Sequence, residues 1–390
     1  MNSTIEAPQQ VSESKTPKNH RSAANIAVFV GIIQSILLLA HWFVYQTWAT
    51  FQRGASETEI HVVQIAFAVL SVSFMGASLL AHRYSNFPAR VFYKAAALWM
   101  GLFNFLFLAA CFFWVASLGT RVLGLHFPAT LAGEALFAAA FIFFLYGTIN
   151  ARIIRTNRIA VKLPELPAAW RGRIAALVSD IHLGPVNGES LMRRIVAKLA
   201  DLQPDIVFVV GDLYDGTKVE ARAVSSSWKD LDTPFGAYFV TGNHEEFGDP
   251  GEYIEAVEAA GIRVLDNEKI TLDGLQVVGV NDRDLAHPER LRSILESADI
   301  SRNRASILLA HTPHRLAVAE EAGISLQLSG HTHGGQIFPF TWLTQRIFGL
   351  YTSGLNRFGE MLIYTSTGVG TWGPQLRVGT KPEIVLIEFA

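Results

Sequence analysis

Four long apolar runs crowd the first 150 residues, and no run of comparable length follows them. They extend from about Asn25 to Tyr45, Ile60 to Ala81, Ala96 to Leu118 and Ala129 to Ile149. Each is close to the ~20 residues a helix needs to cross a hydrocarbon core, so the pattern predicts a four-helix transmembrane region over 24–150. The first run exceeds the ~7–15 apolar residues of a secretory signal and no small-residue cleavage site follows it, so it reads as a span. Residues 1–23 are polar, carry Lys15, Lys18 and Arg21, and are expected to form a disordered tail.

After residue 170 the pattern shortens to runs of about five apolar residues alternating with segments of helical spacing. Strands are expected over 174–178, 206–210, 237–240, 276–280, 305–309 and 324–328, and helices over 189–202, 252–260, 288–297 and 313–322. Short apolar runs bounded by Gly, Asp and Asn suit strands buried on both faces, hence an α/β domain over 171–390. Between the two regions, 151–170 holds Arg152, Arg155, Arg158 and Lys162, then Leu163-Pro164-Glu165-Leu166-Pro167. It reads as a basic juxtamembrane linker, drawn to anionic headgroups.

Composition sharpens this picture in three places. Half of the chain is hydrophobic and only 17% charged, which the four runs account for. Basic residues gather before the first run, in the second loop (Arg83, Arg90, Lys94) and after the fourth run, whereas the first and third loops have only Arg53 and Arg121. That bias predicts an integral protein of the inner or cell membrane with four spans and with both termini and the C-terminal domain cytoplasmic. The formal net charge of -2 gives no support to a nucleic-acid partner, and the single cysteine, Cys111, excludes an intrachain disulfide. Within the spans, His41, Asn104 and Glu134 are read as structural, and Trp42, Tyr45, Trp48, Trp99 and Tyr146 as interfacial anchors.

Polar chemistry recurs where the predicted strands end: Ser179-Asp180-Ile181-His182, Gly211-Asp212, Gly242-Asn243-His244-Glu245, His311-Thr312-Pro313, and Ser329-Gly330-His331-Thr332-His333-Gly334-Gly335. Carboxylate, imidazole and amide groups at strand ends converge on one sheet edge, where α/β proteins build sites. Such a set without thiolates suits hard or borderline divalent metals. Each block alone is weak, since Asp or Asn after a strand is more often a cap or turn residue. His287, His314, Asp215 and Asp282 fall outside the pattern and are read as turn or packing residues.

The order Asp-x-His, Gly-Asp, Gly-Asn-His-Glu, His, Gly-His-x-His resembles the signature of the calcineurin-like metallophosphoesterase superfamily over essentially all of 171–390. The wording around Ser179–Gly184 and Gly330–Ile337, with the tail Gly368–Arg377, is similar to a membrane-associated bacterial branch that includes phosphodiesterases and hydrolases of UDP-2,3-diacylglucosamine. The resemblance implies a four-layer α-β-β-α sandwich following the transmembrane region, and two divalent ions, manganese first with iron or zinc as alternatives. It places Asp180, His182 and His333 on one ion, Asn243, His311 and His331 on the other, and Asp212 as the bridge. It implies a shared water whose pKa the ions lower, His244 facing the substrate as proton donor or charge stabiliser, and Glu245 orienting the His244 ring. Arg377, Gly334 and Gly335 are the candidates for substrate contact.

These inferences lead to a membrane-anchored phosphoesterase acting on a phosphodiester or pyrophosphate bond. The basic linker and the aromatic tract from Ile337 to Leu350 point to a lipid-linked substrate. Two alternatives stand beside it: the same chemistry on a soluble ester with the helices only as anchor, and a non-catalytic membrane sensor with a structural metal site.

Overall fold

A computed structural model describes residues 20–247 and 250–390, so the polar tail expected over 1–23 lies outside the described residues up to residue 19. Four helices come first: α1 (His20–Phe51), α2 (Glu57–Arg83), α3 (Phe87–Val122) and α4 (Ala129–Asn150). All four are long and apolar enough to cross a membrane. Local chemistry sets their starts. Ser56 and Glu59 close a reciprocal capping box on α2, and the Asn86 side chain accepts from the Ala89 N–H to begin α3, satisfying donors that a helix N-terminus otherwise leaves open. Inside the bundle, His41 stacks on Phe103 with ring centroids 3.7 Å apart and accepts from Trp99 Nε1 at 3.0 Å. Trp99 therefore faces a bundle partner and not the interfacial belt expected of it.

Among its described residues the remainder holds twelve strands, β1 (Arg155–Val161), β2 (Ile174–Val178), β3 (Ile206–Val210), β4 (Ala237–Val240), β5 (Arg263–Val264), β6 (Glu268–Leu272), β7 (Leu275–Val280), β8 (Ser306–Ala310), β9 (Leu326–Ser329), β10 (Gly354–Phe358), β11 (Met361–Thr365) and β12 (Glu383–Phe389). Its helices are α5 (Glu189–Leu202), α6 (Ala221–Ser225), α7 (Pro250–Ala259), α8 (Asp282–Leu285), α9 (Pro288–Ser297), α10 (Leu316–Glu321) and α11 (Phe340–Phe348).

Two six-stranded sheets form, ordered β1-β12-β2-β3-β4-β5 and β10-β11-β9-β8-β7-β6. Leu177, Phe208, Val210, Val277, Ile307, Leu309, Leu328 and Val385 fill the space between them. Alternate residues turn outward, so Val207, Val209 and Phe239 meet α5 and α7, while Leu308, Ala310 and Ile363 meet α9 and α10. Period-2 alternation with both faces buried is the physical origin of a four-layer sandwich. β2, β3 and β4 run parallel, as do β7, β8 and β9, which brings the carboxyl ends that carry the polar blocks to one edge.

The expected linker is not a linker. Arg155–Val161 pairs parallel with β12 along its whole length and forms the sheet edge, so the basic residues Arg155 and Arg158 belong to a strand. Its short apolar content hid it, because an edge strand exposes one face and needs little periodicity.

The domain also packs directly against the helices. Val186 lies against a cluster of Ala77, Ala81, Tyr93, Ala96 and Ala97 from α2 and α3, and Ile337 and Leu376 lie against Phe105, Ala109 and Ala140 from α3 and α4. Hydrogen bonds lock both contacts: Lys218 N–H donates to Ala81 O at 3.2 Å, Arg377 N–H to Gly147 O at 3.0 Å, and Asn150 Nδ2 to Arg377 O and Thr380 O at 2.9 and 3.0 Å.

Candidate metal centre

Five of the candidate ligands sit in backbone conformations that side chains rarely adopt. Asp180, His182, Asp212, His331 and His333 all have φ between 49° and 69°. Left-handed backbone at a non-glycine residue costs on the order of 1–3 kcal/mol and persists where surrounding structure over-determines it. Here the surroundings are the parallel strand ends. Asp180 N–H donates to Gly211 O and His182 N–H to Asp212 O, stitching the turn after β2 to the turn after β3. Gly242 and Gly330 leave the space that Asp212 and Asp180 occupy, since a Cβ at either glycine would collide with those carboxylates.

The side chains converge into two overlapping groups. In the first, His182 Nε2 lies 2.9 Å from His333 Nε2, and His333 Nε2 lies 3.3 Å from Asp180 Oδ1. In the second, His331 Nδ1 lies 2.9 Å from Asn243 Oδ1, and the His311 and His331 rings meet edge to face at 5.2 Å. Asp212 joins them: its Oδ2 is 3.7 Å from His182 Nε2 and 3.2 Å from His311 Nε2. Asp180, His182 and His333, and likewise Asp212, His311 and His331, present donor atoms within 4.8 Å of one another.

That spacing fits divalent ions. Two ligands about 2.1 Å from one ion and roughly at right angles stand about 3 Å apart, the separation of the facing nitrogens and oxygens here. The ring nitrogens of His182 and His333 that face each other at 2.9 Å, and His311 Nε2 beside Asp212 Oδ2, are groups that a divalent cation would satisfy well. His182, Asp212 and His244 also form a close trio, so His244 stands beside the first group as well.

Electrostatics point the same way. Burial lowers His182 to a pKa of about 3 and His331 to about 4, and takes His333 well below the usual imidazole range, leaving neutral rings able to ligate. Burial pushes Asp180 up to about 6. Burial opposes ionisation of Asp212 too, but His311, with His182 and His244, outweighs it and holds the carboxylate below its ordinary range. His311 is the counterpart: burial works against its proton, yet Asp212 raises its pKa. Without an ion, a proton on His311 supplies the positive charge that the carboxylates call for.

Three residues named from the sequence have other tasks. Glu245 does not touch the His244 ring. Its carboxylate accepts the N–H groups of Asp212, Tyr214 and Gly242 at 2.7–2.9 Å and so fixes the loops that carry Asp212 and Asn243. The ring is oriented instead by Asp215, whose carbonyl lies 2.8 Å from His244 Nδ1; Asp215 had been read as a turn residue. Arg377 is fully buried beneath His333 and donates to the carbonyls of His333, Gly368 and Gly370 at 2.6–3.3 Å. It supports a ligand from behind and is closed to a substrate phosphate.

Gly334 and Gly335 also face protein. Both have positive φ, and a Cβ on Gly335 would strike the backbone of Phe340 and Thr341 at the start of α11. They let the His331–His333 loop turn under that helix. Phe247 and Trp372 escaped the sequence reading, yet their rings stand 4.7 and 5.8 Å from the His244 ring. Trp372 arrives from a distant loop, and Phe247, three residues after His244, belongs to no ligand block that would mark it.

Residues 175–335 match the calcineurin-like phosphoesterase family. The chain is 31% identical over 255 residues to an uncharacterized metallophosphoesterase of Campylobacter jejuni, covering 64% of this chain and 67% of that one. It is 33% identical over 259 residues to a transmembrane protein with metallophosphoesterase domain from Danio rerio, covering 62% of this chain and 59% of that one. An uncharacterized metallophosphoesterase of Bacillus subtilis matches at 29% over 249 residues, 61% of this chain and 86% of that one.

Proposed function

This chain belongs to the calcineurin-like metallophosphoesterases, and from that premise we propose that it hydrolyses a phosphodiester or pyrophosphate bond of a lipid-linked substrate at the cytoplasmic face of the cell membrane. The observation that carries the reading is the placement of Asp212 Oδ2 between His182 Nε2 and His311 Nε2, at 3.7 and 3.2 Å, so that one buried carboxylate serves two ligand groups. Asp180, His182 and His333 would hold one divalent ion, and Asn243, His311 and His331 the other. Such a pair supplies an activated water and a clamp for phosphoryl charge when bound; manganese leads the candidates, with iron and zinc beside it.

The chain's own residues do the rest. His244 Nδ1 is tied to the Asp215 carbonyl, which assigns one ring proton to that bond, so that Nε2 donates to the leaving oxygen from the doubly protonated imidazolium. Phe247 and Trp372 flank the ring and limit water at the position where the ester oxygen departs. Glu245 and Arg377 keep the ligand loops in place without touching substrate. The positive-inside bias of the loops supports the cytoplasmic orientation, and four apolar helices packed against the domain support access to lipid-linked esters.

The direct test is hydrolysis of bis-p-nitrophenyl phosphate by the full chain in nanodiscs with Mn²⁺; a metal-loaded protein inert on a broad phosphoester panel overturns the reading. His244→Asn is expected to slow esters with poor alkoxide leaving groups by about 10²–10³-fold and aryl esters much less, because a protonated leaving oxygen matters only where the alkoxide is a strong base. Equal losses on both would remove His244 from that role.

Metal affinity should depend on pH with a definite sign. The raised Asp180 carboxyl is protonated below about 6, and a metal must displace that proton. Above that value the carboxylate is free; below it, the Asp180 proton is expected to add a further loss of about tenfold in Mn²⁺ affinity per pH unit to the loss that displacing the His311 proton causes. His182 and His331, already neutral, add no such penalty, whereas His311, whose proton Asp212 favours, releases it on loading. Titration calorimetry in buffers of different ionisation enthalpy measures both effects.

A further inference from the structure

We propose that α11 is an interfacial helix whose apolar face lies in an anionic lipid leaflet at the mouth of the metal centre, so that an amphiphilic phosphoester enters sideways from the bilayer. This rests on the phosphoesterase reading above for the role of the centre, but not for the position of the helix. No residue of α11 is buried against protein, and Phe340, Trp342, Leu343 and Ile347 are 49–66% exposed. A nine-residue helix with no fully buried side chain gains little from packing in water, and Phe340, Leu343 and Ile347, which share one side of it, form a patch that calls for an apolar partner.

The partner follows from where the helix begins. Ile337, three residues ahead, is buried against Phe105 and Ala109 of α3 and Ala140 of α4, and Asn104 of α3 donates to Phe338 O at 2.9 Å. The chain therefore leaves the flank of two membrane-spanning helices and enters α11 directly. The apolar phase bordering those flanks is lipid, and α11 begins two residues after the Phe338 carbonyl that α3 holds. Its charge agrees: Arg346, stacked on Trp342 at 4.7 Å, is its one ionisable residue, which suits anionic headgroups. At its other end the Phe348 ring lies 6.1 Å from His331, so the helix joins the leaflet to the candidate ligands.

The test uses the full chain with Cys111→Ala in nanodiscs of phosphatidylglycerol and phosphatidylcholine. An environment-sensitive fluorophore on Leu343→Cys is expected to be quenched by acyl-brominated phosphatidylcholine and sheltered from aqueous iodide, with the reverse at exposed Ser297→Cys. Quenching by iodide at both positions overturns the proposal. So does a probe sheltered from iodide yet indifferent to brominated chains, which would mean that a protein or a second copy of this chain covers the helix.

A kinetic arm addresses entry. Leu343→Glu/Ile347→Glu should lower kcat/KM for vesicle-borne dodecyl p-nitrophenyl phosphate by ~10-fold or more while sparing methyl p-nitrophenyl phosphate. Equal losses on both esters would make α11 a structural element and overturn the entry route. If the wild type hydrolyses neither ester, the phosphoesterase reading and the entry route fall together, while the quenching result still decides where the helix lies.

Discussion

Asp212→Asn in the full chain should bind the first divalent ion weakly, lose the second, and fall on the order of 10³-fold in kcat/KM on bis-p-nitrophenyl phosphate. That loss corresponds to ~4 kcal/mol of transition-state stabilisation. The size follows from burial. Asp212 Oδ2 is the oxygen near nitrogens of both groups, and its Oδ1 accepts the His244 N–H at 2.9 Å. An amide keeps the shape and can keep the latter bond, but it removes the one charge that both groups share. His311 then loses the main partner that raises its pKa, with Asp180 and Asp282 still opposing burial, so its ring should titrate lower than in the wild type. Metal analysis of the purified variant, with the histidine ring signals followed by NMR, checks both consequences. A variant that keeps two ions and wild-type turnover would take the bridging role away from Asp212.

Much of this architecture was legible because it depends on period and on short polar blocks. The two-faced burial of Ile206–Val210 and the helical stripe of Ile195, Val196 and Leu199 in α5 appear in the structure where periodicity puts them, although Met192 and not Leu191 completes the stripe. The ligand candidates were legible because each follows a strand that parallel pairing aligns with its neighbours. What escaped was set by tertiary contact. β1 and β12 pair across more than 200 residues, and no local signal announces that. Arg377 carries a charge, which argues for the surface until three carbonyls collected from distant turns are found around it. Asp215 orients the His244 ring through its backbone carbonyl, a contact that no side-chain pattern in the sequence announces.

The same tertiary dependence makes the helices more than an anchor. Removal of residues 1–150 is expected to destabilise the remaining domain by several kcal/mol, out of the roughly 5–15 that a domain possesses. Burial of Ile337 and Leu376 against α3 and α4 contributes ~1.5–3 kcal/mol for each side chain, and the Asn150 and Gly147 bonds to the Arg377 turn disappear with it. Arg377 holds the carbonyl of His333, so the group of Asp180, His182 and His333 should lose its ion first. On the other side, Lys218 is released from Ala81 three residues after Asp215, whose carbonyl orients the His244 ring. The truncated domain should therefore show a lower Tm, weakened binding of one of two ions, and reduced turnover even on a small water-soluble ester. Asn150→Ala in the full chain isolates one part of this: it leaves the buried carbonyls of Arg377 and Thr380 unpaired, at roughly 1–3 kcal/mol each, and its Tm should fall between those of the intact and truncated proteins. A truncated domain with unchanged Tm and unchanged turnover would show that the bundle merely tethers the site. The contacts argue otherwise, because the helices touch the turns after β2 and β3 and the turn beneath His333, which together carry Asp180, His182, Asp212 and His333.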